Sequence, residues 1–154
     1  MNELSNEEFE NAVLNWWYRL QHDSGNFARL RHQSDVMGIQ TVSSFYDLAR
    51  ALPSIDRDTL ASIAMVLSHV ESDCKEKAAK RMGKTTLYSD HVVSELRFNK
   101  LISLNQQEFA RELVRILPMI DNRLNVRCLV TDLRYWDSEK QISKKNWLND
   151  FYLA

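Results

Sequence analysis

The chain has 154 residues, 44% of them hydrophobic and 27% charged, with a formal net charge of −1. That is a globular composition with room for one domain or two small lobes, and it excludes a disordered chain. Three glycines and two prolines are too few for an all-β fold, which needs a turn every 8–12 residues or so, and Gly25, Gly38 and Gly83 stand too far apart for a glycine-rich nucleotide loop. The expected fold class is all-α, a compact two-lobed bundle of about eight helices.

Ser5, Asn6, Glu7 and Glu8 form a capping-box pattern that starts the first helix, whose apolar stripe is Phe9, Val13, Trp16, Trp17 and Leu20. Of two adjacent tryptophans one must point off that stripe, so Trp17 and Tyr18 are expected to be partly exposed. His22 to Asn26 ends the helix, and a short second one follows with Phe27 and Leu30 inward and Arg29 and Arg31 elsewhere. Residues 34–38 read as a break. Val42, Phe45, Tyr46, Leu48, Ala49 and Leu52 then form a stripe closed by Pro53. Ser54 or Asp56 caps the next helix. Its stretch from Ala61 to Leu67 has one polar residue, Ser62, which marks it as the central, most buried helix.

Residues 75–84 carry five basic side chains against one acid and read as a charged linker or helix extension. The expected organisation is an N-terminal lobe over 1–74, a basic linker over 75–87 and a C-terminal lobe over 88–154. Helix is expected to resume from Tyr88 to Ser103, with Val92, Val93, Leu96, Phe98, Leu101 and Ile102 apolar. Asn105 to Glu108 starts another helix, with Phe109, Leu113, Ile116 and Leu117 buried before Pro118. Leu124, Cys128, Leu129, Leu133 and Trp136 form the next, and a last one from near Ser138 buries Ile142, Trp147 and Phe151.

The acidic opening from Met1 to Glu10 is not signal-peptide-like, no apolar run is long enough to span a bilayer, and the two cysteines are not a C-x-x-C pair. The expected address is a reducing cytoplasm, with no membrane contact. His69, Cys74, His91 and Cys128 fit no compact zinc spacing, so no metal or cofactor is expected. The acid pairs Glu7/Glu8 and Asp56/Asp58 fall in helix first turns, where carboxylates favour the dipole. No nucleophile motif is present, and the chain does not read as an enzyme. All four tryptophans lie on or beside apolar stripes and are expected in the core rather than as base-stacking platforms.

Charge is unevenly divided. Residues 1–73 hold five Lys/Arg and eleven Asp/Glu, a sum of −6, and residues 74–154 hold fifteen and ten, a sum of +5. One acidic and one basic face suit a subunit placed between a nucleic acid and protein neighbours. Arg111 and Arg115 are spaced i, i+4 away from the apolar face of their helix, and Arg97 and Lys100 are spaced i, i+3. Pairing of Arg111 with Glu108 and of Arg115 with Glu112 on a solvated surface is the competing account. A free-standing helical protein-interaction module would look the same.

Trp16, Trp17 and Leu20, then Gly25 to Arg31, then Phe45 to Leu48 resemble, in order, the small subunit of the type I-E CRISPR surveillance complex Cascade, the CasB-type family. Val93 to Phe98 with Leu101 and Ile102, Leu113 to Leu117, and Trp147 to Phe151 are similar to later segments of the same family. The resemblance implies a non-catalytic helical subunit present in two copies beside the backbone and large subunits of the complex, along the guide RNA. Its basic surface is then expected to hold target DNA and the displaced non-target strand, stabilising the R-loop. By position in the family segments, Arg31, Arg97 and Arg115 carry over as nucleic-acid contacts. Spacing and charge add Arg29, Lys80, Arg81, Lys84, Lys100 and Arg111.

Overall fold

A computed structural model describes residues 4–154; the first three residues of the acidic opening segment lie outside it. Ser5 caps the first helix, α1 (Asn6–Gln21), its Oγ accepting from the Glu8 amide at 3.1 Å. The stripe of α1 is wider than expected. Both tryptophans are buried, Trp17 at 1% exposure, and only Tyr18 is exposed. Helices pack on two sides of α1, and each indole finds a backbone acceptor: Trp16 Nε1 donates to the Ser44 carbonyl at 3.0 Å and Trp17 Nε1 to that of Leu67 at 3.1 Å. The Leu67 carbonyl lies at the C-terminal end of its helix, where intrahelical donors run out, and Ser44 is an N-cap.

Two short helices follow, α2 (Ser24–Arg31) and α3 (Val36–Ile39), capped by Asp23 and Asp35. The segment expected as a break at 34–38 therefore contains the start of α3, nucleated by the Asp35 carboxylate accepting from the Gly38 amide at 2.7 Å. Next comes α4 (Phe45–Ala51), then α5 (Arg57–Leu67), capped by Asp56. Every residue of α5 from Leu60 to Leu67 is buried, so this is the central helix the composition predicts.

Residues 75–84 are not an unpacked connector. Within them α6 (Ala78–Gly83) buries Ala78, Ala79, Met82 and Gly83. It lies against the last helix, α10 (Ile142–Tyr152), so closely that a side chain at Gly83 would strike the Phe151 backbone. Immediately before, Ser72–Asp73 (β1) pairs in parallel with Arg123–Leu124 (β2), the only strands among the described residues.

Helix α7 begins at Glu95, not near Tyr88, and runs to Ile102 with Ser94 as its cap. The preceding loop is held by its own bonds, Val92 N to the Lys84 carbonyl and Val93 N to that of Met82, both 2.9 Å. These backbone groups are committed to the loop and cannot extend the helix. Leu87 and Tyr88 are 95% and 96% exposed, and Leu96 points to solvent as well. Helices α8 (Gln106–Ile116) and α9 (Val126–Arg134) follow, separated by a 3₁₀ turn at Leu117–Ile120. The last helix starts at Ile142 rather than near Ser138, because Gln141 adopts a left-handed backbone at φ 53°; Ile142 is exposed while Trp147 and Phe151 are buried.

Ten α-helices are thus present among the described residues, more than the eight or so expected because α3 and α6 are too short to show a stripe. Buried side chains from both sides of 75–87 form one continuous cluster. Helix α5 packs on α8 and α9, and α1 packs on α9. That seam is also polar: Arg127 Nη1 meets Glu10 Oε1 at 3.1 Å and Tyr135 Oη donates to Asn6 Oδ1 at 2.9 Å. At the other end Phe98 of α7 stacks on Phe151 of α10 with centroids 3.9 Å apart.

Candidate nucleic-acid interface

Arg31 is the last residue of α2, and its guanidinium lies over the half-buried Phe27 ring, 5.3 Å from the centroid. The turn after it leads to α3, which packs on α5. Also packed on α5, α8 turns Phe109, Leu113 and Ile116 inward. The helical period then sends Arg111 and Arg115 outward, one turn apart. These segments enclose a cleft of about 480 Å³ lined by Arg31, His32, Gln33, Ser34, Asp35, Met65, His69, Arg111, Val114 and Arg115. Three of the expected contacts, Arg31 distant in sequence from the other two, thereby share one concave surface.

The cleft is graded by depth. Met65 is buried, Gln33, His69 and Val114 are half-buried, and the three arginines and His32 are exposed. Arg31 and Arg111 make no ion pair among the described residues. The one acid in the lining, Asp35, is occupied in capping α3. Burial, and then the nearby Arg31 charge, hold the His69 imidazole below its ordinary pKa of 6.5, so the ring is neutral at physiological pH.

Beside this cleft lies a shallower groove formed by Ser94, Leu96, Arg97, Asn99, Lys100 and Glu112. Glu112 stands between the two. Its carboxylate meets Arg97 Nη2 at 3.8 Å and Arg115 Nη1 at 3.5 Å. The pairing expected of Arg115 with Glu112 is therefore present, and Arg97 shares it. Arg97 Nη1 also approaches the Met119 sulfur at 3.5 Å. Lys100 is exposed on the same helix with no ion pair among the described residues.

The remaining candidates are placed elsewhere. Arg81 is turned inward, its side chain 16% exposed. It donates to the Ile120 carbonyl at 3.0 Å and faces Glu76 at 3.5 Å and Asp121 at 3.9 Å. Lys84 pairs with the same Glu76, and that bond, then the lysine and arginine charges around it, lower the Glu76 pKa. Lys80 and Arg29 are exposed but line neither depression. Sequence reasoning missed Met65, His32 and Gln33, and weighed His69 only as a metal ligand. The available signal was the polar run Arg31 to Ser34 between two short helices.

Among the described residues no group of three His, Cys, Asp or Glu side chains could hold a metal. Cys74 and Cys128 are not disulfide-bonded, and burial raises the Cys128 thiol pKa. The His91 ring lies 4.5 Å from that of Phe151, with Nδ1 2.8 Å from the Gly83 carbonyl. No described helix is long and apolar enough to cross a membrane.

The fold is similar to a chain in the crystal structure of Escherichia coli Cascade bound to a PAM-containing double-stranded DNA target. The TM-score is 0.71 at 19% identity, covering 99% of this chain and 97% of that one. It is similar also to CasB from Thermus thermophilus, with TM-score 0.69 and 16% identity over 94% of this chain and 98% of the other. No curated protein sequence matches the chain. A family model described as CRISPR-associated protein Cse2 matches residues 26–152, a span that includes the arginine cleft, the groove beside it and the α6–α10 contact, and the chain belongs to that family.

Proposed function

We propose that the chain is the non-catalytic small subunit of a Cascade-type RNA-guided antiviral complex, and that its arginine cleft holds the sugar-phosphate backbone of target or displaced DNA in the R-loop. The observation that carries this is the convergence of Arg31, Arg111 and Arg115 on one cleft, two of them without carboxylate partners among the described residues. Lys and Arg neutralise phosphates and release counterions without reading sequence, which suits a machine whose specificity lies in base pairing. Exchange of a DNA duplex for a guide–target heteroduplex is nearly balanced in free energy, so a few backbone contacts can tip it. The partners are the backbone and large subunits, a second copy of this chain and the guide RNA. The acidic N-terminal half provides the surface toward protein neighbours.

The test is target binding by the complex reconstituted with its guide RNA, measured at three salt concentrations for wild type, Arg31→Glu, Arg111→Glu and Arg115→Glu. Each reversal weakens binding about equally on every target sequence and flattens the log–log salt slope by about one unit, or about 0.7 where the contact is to a single strand. Melting of the isolated variants stays within about 0.5 kcal/mol of wild type. Unchanged binding and slope for all three would leave a subunit that only lies near the DNA. A free-standing interaction module is the second reading, favoured locally by the Glu112 pairing of Arg97 and Arg115; failure to co-purify with Cascade subunits would select it.

A further inference from the structure

We propose that the arginine cleft accepts one unstacked nucleotide of a single strand, its base against His69, Met65 and Val114 and its flanking phosphates on Arg31, Arg111 and Arg115. The inference rests on the backbone-binding reading above and adds to it a strand type and a place for a base. Cations that only follow phosphates need no depth, because the phosphates of a duplex stand on convex ridges with the bases stacked away from the protein. This cleft instead has a floor of buried Met65 and half-buried His69 and Val114 beside an exposed cationic rim. Its volume of about 480 Å³ falls within the range of small-ligand pockets and is sufficient for a base with its sugar.

The floor chemistry suits a base face. A neutral imidazole is a flat platform of the kind on which splayed bases stack, and a buried thioether is polarisable and adaptable. A protonated ring would instead add a fourth cation close to Arg31. That guanidinium is already oriented by the Phe27 ring beneath it, which lowers the ordering cost of gripping a phosphate at the mouth. Two of the polar groups beside the floor are engaged within the protein: Gln33 Nε2 donates to the Arg29 carbonyl at 3.3 Å and Asp35 caps α3. Stacking on a flat face tolerates any base, as a guide-directed complex requires.

The experiment compares binding of the full chain at low salt to an oligothymidylate, to the same strand made abasic, to the matching duplex and to thymidine monophosphate. The intact strand binds about tenfold more tightly than the abasic strand, within the range that stacking of one base supplies, and with the same salt slope, since the phosphates are the same. The duplex binds no better than the abasic strand. His69→Ala removes the tenfold difference, while His69→Phe, which keeps a flat face, retains it; thermal melts show that both variants fold. Equal binding of intact and abasic strands overturns the inference but leaves the backbone reading standing. Loss of binding to every strand overturns both. Displacement of the strand by equimolar thymidine monophosphate overturns the single-strand assignment, because the site would then be one for free nucleotides.

Discussion

Two regions of this molecule are rich in basic residues, and they use them in opposite ways. Around α6, five cations occur within ten residues, yet Arg81 points into the protein and Lys84 is bound to Glu76. In the cleft, Arg31 is far in sequence from Arg111 and Arg115 and meets them only because α2, α5 and α8 pack side by side. Two of the five cations around α6 therefore serve a structural clamp while Lys75, Lys77 and Lys80 stay exposed, and the concave cationic surface is assembled from separate segments. A buried guanidinium is held by the hydrogen bonds that compensate its desolvation. An exposed one without a carboxylate partner keeps its bonding capacity for a ligand.

The comparison breaks first at Gly83. A Cβ there would collide with the Phe151 carbonyl oxygen and lie 2.8 Å from its carbon. Because that neighbour is backbone, Gly83→Ala costs about 3 kcal/mol and loosens the α6–α10 contact, readable as a lower melting temperature with nucleic-acid binding intact in the folded fraction. Arg81→Ala is next. It leaves the Ile120 carbonyl without its donor and removes one of the two cations on Glu76, a loss of about 2 kcal/mol in denaturant unfolding. The effect should appear with no change in salt slope, and a slope change equal to that of Arg111→Glu would place Arg81 among the phosphate contacts after all.

Asp132 tests what the charges near α6 do for their neighbours. Burial raises its pKa from 3.8 to about 6, opposed by the indole of Trp147, which donates to it at 2.9 Å, and by the Lys77 charge. The native state therefore keeps a proton that the unfolded chain releases, so this group's contribution to stability falls as pH rises from 3.8 toward about 6 and stays low above that. Asp132→Asn keeps an oxygen acceptor for Trp147 and carries no charge. It raises unfolding free energy by about 1–2 kcal/mol at neutral pH and flattens the pH profile. Equal melting of the two proteins at neutral pH would show that the carboxylate is ionised there at no cost.

The smallest effect on folding, and the sharpest on the comparison, is at Glu112. It restrains Arg97 and Arg115 through ion pairs longer than 3.4 Å on a largely exposed surface, and such pairs contribute about 0–1 kcal/mol. Glu112→Gln leaves melting nearly unchanged while tightening single-strand binding at low salt and steepening its salt dependence. Weaker binding in that variant would mean that Glu112 orients the two arginines rather than competing for them.

Helix boundaries were legible wherever a cap and a stripe coincided. Ser5, Asp56 and Asn105 each cap as their patterns predict, and the apolar run of α5 is central. They were not legible where a loop's own bonds outcompeted helix, as between Lys84 and Val93, or where one left-handed residue, Gln141, set the start. Half of the candidate site followed from period alone: Arg111 and Arg115 had to share a face of α8. That Arg31 would meet them, and that Arg81 would not, could not be read from spacing.

Local periodicity by itself determined that the chain is helical, most of the residues that enter the core, though not Trp17 or Ile142, and which sides of its helices carry charge, because these depend on neighbours three and four positions away. The tertiary structure alone decided that α6 is a buried clamp, that Trp17 is enclosed, and that Met65, His69 and Val114 form a floor beneath three arginines. Those outcomes depend on which helices pack against which, and the contacts that set this packing join residues tens of positions apart, where no short sequence period can register them.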